Sequence, residues 1–261
     1  MGLPTYGEII FVMLLGLIWG SFFNVCIVRL PKDESIVFLR SKCPHCSSLI
    51  PWYLNIPLFS YLWLHGRCAY CKARISIQYP LVELGTALLY LALYWQLGLG
   101  VRFFVYAIFA SLLLVISVID LYHQIIPDEL SLSGLVLGFV ASLFLEDVGW
   151  KSSLLGIVVG GGSFFAIAYL YEKLTQREGL GGGDVKLLAM IGAWLGLRSI
   201  FPVVILSSAI GSIVGLTVMA IQRKDFKTAI PFGPFLAIGA LIYFFWAEPI
   251  YSFLFPQLTL L

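Results

Sequence analysis

Gly179-Leu180-Gly181-Gly182-Gly183-Asp184-Val185-Lys186-Leu187 sets a carboxylate where a glycine run gives way to an apolar segment. Consecutive glycines let a second backbone approach closely. An aspartate at the edge of an apolar segment has two readings. It can cap a helix N-terminus, or it can be a functional charge held where water meets lipid. The lipid is implied by composition: 60% of the 261 residues are hydrophobic and only 11% are charged, against about 25% charged in a soluble domain. The chain reads as an all-α polytopic membrane protein.

Working outward in units of about 20 apolar residues, the sequence predicts about eight transmembrane helices. They fall at 7–27, 80–98, 102–120, 130–146, 152–172, 184–197, 200–221 and 229–247. The first run is too long for a signal-peptide core and no small-residue cleavage site follows, so it reads as retained. The tail from Glu248 to Leu261 is broken by Pro249 and Pro256 and is expected to lie in an interface. With the N-terminus outside, thirteen cations fall inside: Arg29, Lys32, Arg40, Lys42, Arg67, Lys72, Arg74, Lys173, Arg177, Lys186, Arg223, Lys224 and Lys227. Three, Arg102, Lys151 and Arg198, fall outside. The positive-inside rule therefore puts the loop 29–79, the loop with His123 and the glycine run in the cytoplasm. Three regions follow: a first helix over 1–28, a cytoplasmic domain over 29–79 and a membrane core over 80–261.

The 29–79 loop carries Cys43-Pro44-His45-Cys46 and Cys68-Ala69-Tyr70-Cys71, two CxxC pairs separated by 21 residues. Each pair turns two thiolates toward one tetrahedral ion, as in a zinc ribbon. A reducing cytoplasm disfavours disulfides; the competing reading is four unpaired or redox-active thiols. Four sulfurs close a zinc shell, so such a zinc is structural. His45 reads as a bystander and Cys26, inside the first span, as packing.

Several polar residues stand in or beside the spans. Asn24 reads as an interhelical hydrogen bond, with Gly20 and Ser21 allowing close approach, and Arg29 as a side chain that snorkels. Glu83, following Pro80, complements a helix dipole. Asp128 follows Pro127 and suits an N-cap, and His123 is a loop residue. Gly156, Gly160, Gly161 and Gly162 suit helix packing; no lysine follows them as a phosphate-binding loop requires. Asp120 differs. It ends the third span, where the helix dipole disfavours a negative charge, so capping does not explain it.

Asp120 and Asp184 share one predicted membrane boundary. If the third and sixth spans pack together, two adjacent carboxylates hold one proton between them. The ionised member takes a proton from water attacking a peptide carbonyl, and the protonated member polarises that carbonyl. This is the chemistry of an aspartic protease. The pair titrates as a unit, so neither residue has a fixed role.

These residues resemble the type IV prepilin peptidase family, the GxGD-type leader peptidases and N-methyltransferases of type IV pilus and type II secretion systems. The resemblance runs through Gly20-Ser21-Phe22-Phe23-Asn24, the two CxxC pairs with Trp52-Tyr53 and Asn55-Ile56-Pro57 between them, and Tyr79-Pro80-Leu81-Val82-Glu83. It continues through Ile119-Asp120, Ile126-Pro127-Asp128, the GxGD of Gly181–Asp184 and Pro231-Phe232-Gly233-Pro234-Phe235. It implies a bacterial inner-membrane enzyme that removes the basic leader of a prepilin or pseudopilin after a glycine, on the cytoplasmic side. It also implies methylation of the new N-terminal amine with S-adenosylmethionine. Asp120 and Asp184 would be the catalytic pair, and Cys43, Cys46, Cys68 and Cys71 the zinc ligands. Gly20, Asn24, Arg29 and Glu83 would be candidates for methyl transfer. No nucleic-acid partner is implied. Gln78 stands where the family commonly has a basic residue; Leu54 and Tyr122 stand where acidic ones are frequent. Substrate preference is where these departures would act.

Two other readings compete. One is a peptidase of the same fold that does not methylate. The other is a proton-relay transporter or scaffold, since intramembrane carboxylates also relay protons; against it, the polar residues gather at one face rather than at mid-depth. There is no HExxH for a zinc protease, and His45, His65 and His123 lack the setting of a serine-protease base.

Overall fold

The computed structural model describes residues 5–36, 41–145, 147–176, 181–222 and 231–254. Gly179, Leu180, Arg40, Arg177, Arg223, Lys224, Lys227 and the tail beyond 254, all named above, lie outside them. The described chain is helical: α1 (Tyr6–Arg29), α2 (Phe59–Trp63), α3 (Gln78–Leu97), α4 (Val101–His123), α5 (Asp128–Ser142), α6 (Trp150–Thr175), α7 (Gly182–Leu195), α8 (Leu197–Gln222) and α9 (Gly233–Leu254). Short 3-10 turns cover Leu30–Lys32 and Trp52–Leu54.

Eight of these helices coincide with the eight predicted segments, but only five are long and apolar enough to cross a membrane: Tyr6–Lys32, Val101–His123, Trp150–Thr175, Leu197–Ile221 and Gly233–Leu254. The difference has physical causes. α5 has 15 residues and α7 has 14, so at 1.5 Å per residue they reach only about 21–23 Å. α3 is long enough at 20 residues, but its tyrosines, Glu83 and two glutamines dilute its apolar character. The last helix does not stop at 247. It kinks at Trp246 and continues to Leu254, with Pro249 inside it removing a hydrogen bond to the turn before.

The chain divides into two compact units, 1–111 and 112–261. In the first, α1 packs along α3. Thr5 and Glu8 form a capping box that starts α1, and Tyr94 donates from α3 to the same Glu8 carboxylate at 2.8 Å. At the other end Asn24 Nδ2 donates to the Tyr79 carbonyl at 3.0 Å.

In the second unit α7 is the central element. Its residues Leu187 to Trp194 are all buried, as expected of a helix that is apolar all round. Trp194 Nε1 donates to the Gly134 carbonyl on α5 and Ser153 Oγ on α6 to the Ala193 carbonyl, both at 2.7 Å. The predicted packing role of the α6 glycines holds for Gly156 and Gly160: a Cβ on Gly156 would overlap the backbone of Gly192, and one on Gly160 would come 2.8 Å from the Leu188 carbonyl oxygen. Gly156→Val is therefore expected to destabilise the protein by about 1–3 kcal/mol or more through overpacking, read as a lower thermal midpoint in detergent. Gly162→Ala on the same helix, where a Cβ meets none of the described residues within 4 Å, should leave the midpoint unchanged or slightly raised, since Ala suits a helix interior better than Gly.

Candidate active site and metal centre

Asp120 lies in the last turn of α4 and is 5% exposed. The helix ends just beyond it: Gln124 adopts a left-handed φ of 54° and donates its N–H to the Asp120 carbonyl at 2.9 Å. The dipole of α4 opposes a charge here, and another helix compensates. The N–H of Gly233, at the start of α9, donates to Asp120 Oδ2 at 3.0 Å. The first N–H groups of a helix have no intrahelical partner, so the end of α9 offers both a donor and a favourable dipole.

Asp184 is the third residue of α7, whose N-cap is Gly181. Its N–H donates to the Gly181 carbonyl at 3.1 Å, and its carboxyl lies within electrostatic reach of Asp120. The two carboxylates thus come from opposite ends of two helices, the C-terminus of α4 and the N-terminus of α7. Ile126 spaces the site. A Cβ on Gly183 would lie 2.9 Å from Ile126 Cβ, and one on Gly233 would lie 3.3 Å from Ile126 Cδ1. Three segments far apart in the sequence therefore meet at one isoleucine. The sequence reading gives Gly233 and Ile126 no role. The signal available is Pro231–Pro234, two prolines bracketing a glycine.

The predicted cap at Asp128 is corrected. The N-cap of α5 is Pro127 and no side chain caps it; Asp128 Oδ1 instead accepts from Lys186 Nζ at 2.6 Å. Lys186, two residues after Asp184, is thereby engaged by Asp128.

In the first unit, Asn24 is 2% exposed. Its Nδ2 donates to the carbonyls of Gly20 and Tyr79, which bears out the interhelical reading. Its Oδ1 is buried without a partner among the described residues. An amide flip would set that oxygen against two carbonyl oxygens, so the orientation is fixed. Arg29 does not snorkel: it is buried, and its Nη1 donates to the Ser35 carbonyl at 3.1 Å. Glu83 lies past the first turn of α3, buried, and accepts from the Leu58 N–H at 2.8 Å. It ties the loop to α3 rather than complementing the helix dipole. Cys26 is buried, as packing requires.

The four loop cysteines converge, with all sulfurs within 4.8 Å of one another. The Cys43–Cys71 distance is 3.9 Å, close to the roughly 3.8 Å between sulfurs bound tetrahedrally to one zinc. Each CxxC closes the same way. Ser47 N–H donates to the Cys43 carbonyl and Lys72 N–H to the Cys68 carbonyl, with Ser47 and Lys72 both at positive φ. Within the set, hydrogen bonds to Ser48, through its side chain and then its backbone, hold the Cys46 thiol down at about 6, whereas Cys71, against a backbone hydrogen bond at Ala73 that lowers it, is pushed up to about 11 by desolvation and the neighbouring thiols. The donor set suits a metal ion, and His45 is not part of it.

Residues 14–97 match the bacterial peptidase A24 N-terminal domain, and residues 107–216 match the type IV leader peptidase family. A prepilin leader peptidase/N-methyltransferase of Xanthomonas campestris pv. campestris is 40% identical, with 90% of each chain covered. Proteins of the same description from Pseudomonas putida and Pseudomonas aeruginosa are 36% and 38% identical. The alignments cover 95% of this chain and 94% of the first relative, and 91% and 90% for the second. No solved structure matches. Asp120 and Asp184 fall inside the second match and all four cysteines inside the first, and the chain belongs to the type IV leader peptidase family.

Proposed function

We propose that this protein is a membrane aspartyl endopeptidase that removes the basic leader of type IV prepilins or pseudopilins at the cytoplasmic face of the bacterial inner membrane. It then N-methylates the new terminal residue. The observation that carries this reading is the approach of Asp120 and Asp184 from the ends of α4 and α7, within the matched region. Relatives described as prepilin leader peptidase/N-methyltransferase align over nine-tenths of the chain, which supports both activities. The full topology is eight spans, with α5 and α7 crossing as short helices inside the bundle.

In the peptidase step the two aspartates share one proton. The ionised carboxylate accepts a proton from water as its oxygen bonds to the scissile carbonyl carbon, and the protonated one donates to the carbonyl oxygen. Collapse of the tetrahedral intermediate breaks the C–N bond, and the leaving amine takes a proton back from the pair. The Gly233 N–H keeps Asp120 in one orientation throughout.

S-adenosylmethionine supplies the methyl group when bound. Asn24 fits a role there, because its buried Oδ1 is an acceptor with no partner among the described residues, suited to an amine. Glu83 and Arg29 are the neighbouring charged candidates. The loop 29–79 forms a zinc-binding domain in which Cys43, Cys46, Cys68 and Cys71 hold structural zinc. Cys43→Ser is expected to lower bound zinc at least about tenfold by elemental analysis, since metal binding and local folding are coupled. Unchanged zinc would remove this ligand set.

The test of the function is cleavage of a prepilin by purified protein, with mass spectrometry of the new N-terminus with and without S-adenosylmethionine. A shortened product carrying one added methyl is expected. Cleavage without the methyl restricts the protein to peptidase chemistry, and no cleavage of any prepilin ends the reading.

A further inference from the structure

The loop between α1 and α3 has an unusual charge balance. No acidic residue occurs between Glu34 and Glu83, while Arg40, Lys42, Arg67, Lys72 and Arg74 are all cationic. The same segment displays large apolar side chains to the outside. Trp52 is 80% exposed and Trp63 71%, with Tyr53, Phe59 and Leu62 also exposed. Phe59 and Trp63 stack on one another at 5.9 Å. Trp63 also walls a cleft of about 430 Å³ that it shares with Leu64, His65, Arg67, Cys68 and Lys72. An apolar surface of this size needs cover, and the basic residues beside it restrict what the cover can be.

A basic prepilin leader would meet like charge, and so would the same loop of a second copy. An anionic lipid surface meets both demands. Tryptophan and tyrosine favour the headgroup level, and basic residues near the surface are attracted to anionic lipids. The loop is also held within reach. It leaves the end of α1 and rejoins the start of α3, and those ends are joined by the Asn24–Tyr79 hydrogen bond at 3.0 Å.

We propose that residues 52–72 form an interfacial anchor for an anionic phospholipid surface. Trp52, Phe59, Leu62 and Trp63 enter the boundary between headgroups and acyl chains, and Arg67 and Lys72 take a lipid phosphate in the cleft beside Trp63. The anchor holds the cysteine-bearing loop against the membrane. It rests on the membrane placement given under the proposed function but not on either catalytic activity.

The test uses the full chain in vesicles of phosphatidylcholine alone and of phosphatidylcholine with phosphatidylglycerol. Hydroxyl-radical oxidation of Trp52 and Trp63 is read by mass spectrometry. Phosphatidylglycerol should lower oxidation at both by at least about threefold, and the Arg67→Gln/Lys72→Gln variant should lose that protection. Equal oxidation in the two vesicles overturns the proposal without any variant. Protection that persists in the double variant overturns the phosphate contact. Protection by soluble glycerol 1-phosphate in phosphatidylcholine alone assigns the cleft to a free phosphate and overturns the lipid anchor. Flotation of the protein with the vesicles reads the membrane placement separately. Failure to float ends that placement, whereas flotation with unprotected tryptophans ends only the anchor.

Discussion

Asp120→Asn and Asp184→Asn, made singly, are each expected to lower the rate of leader cleavage by about 10²–10⁴-fold, the usual worth of general acid–base catalysis. Neither change removes much volume, and the amide introduced by Asp120→Asn would still present an oxygen to the Gly233 N–H that now donates to Asp120. Folding is therefore expected to survive, and a thermal midpoint close to that of the parent checks it. The double variant should be little worse than either single one, since groups that act as a unit are strongly non-additive. Methylation of a substrate supplied already cleaved should persist in all three, because Asn24, Arg29 and Glu83 are untouched. A single variant that cleaves within about tenfold of the parent, well short of that expected loss, would remove the aspartyl mechanism. Asp128→Asn offers a contrast. It breaks an exposed pair with Lys186, and such pairs are worth about 0–1 kcal/mol.

The helices were legible in the sequence because apolar length is a local property, and the two aspartates because a charge in an apolar setting stands out against its neighbours. The four cysteines were legible because two CxxC pairs suffice to predict a group of sulfurs that could hold a metal ion. What escaped was decided by partners distant in sequence. Asp128 has every local mark of a helix cap, yet its carboxylate goes to Lys186, 58 residues on. Arg29 sits where a cation would reach for water, yet it is buried and donates to the Ser35 carbonyl. Glu83 suits the dipole of its own helix, yet it accepts from Leu58 in the loop. The shortness of α5 and α7 escaped as well, because apolar composition marks a segment without fixing where its helix begins and ends. Gly233 was hidden for another reason. It acts through a backbone N–H, which every residue but proline has, and nothing in its own side chain announces the contact.

Gly233→Ala follows from that contact and is expected to lower kcat by about 10²-fold, as a misplacement of about 1 Å in a catalytic group can do. A Cβ at this position would lie 2.6 Å from Asp120 Oδ2 and 3.2 Å from its Cγ, well inside van der Waals contact. Neither neighbour can yield freely. Asp120 is buried in the last turn of α4, and Gly233 is held at the start of α9, where the N–H groups of Phe235 and Leu236 both donate to the Phe232 carbonyl. Either the carboxylate rotates away from Asp184 or the end of α9 withdraws, taking its N–H and dipole with it. Both outcomes disturb the geometry of proton transfer, and neither removes a substrate contact, so KM should stay within a few-fold while kcat falls. The thermal midpoint separates misplacement from collapse, because a variant that fails through unfolding would lose active protein and stability together. Gly162→Ala supplies the reference, the same added methyl in the same unit where none of the described residues lies within 4 Å, and should leave kcat unchanged. A Gly233→Ala protein with full turnover would show that the α9 amide does not position Asp120, and the paired carboxylates would then have to hold their geometry without it.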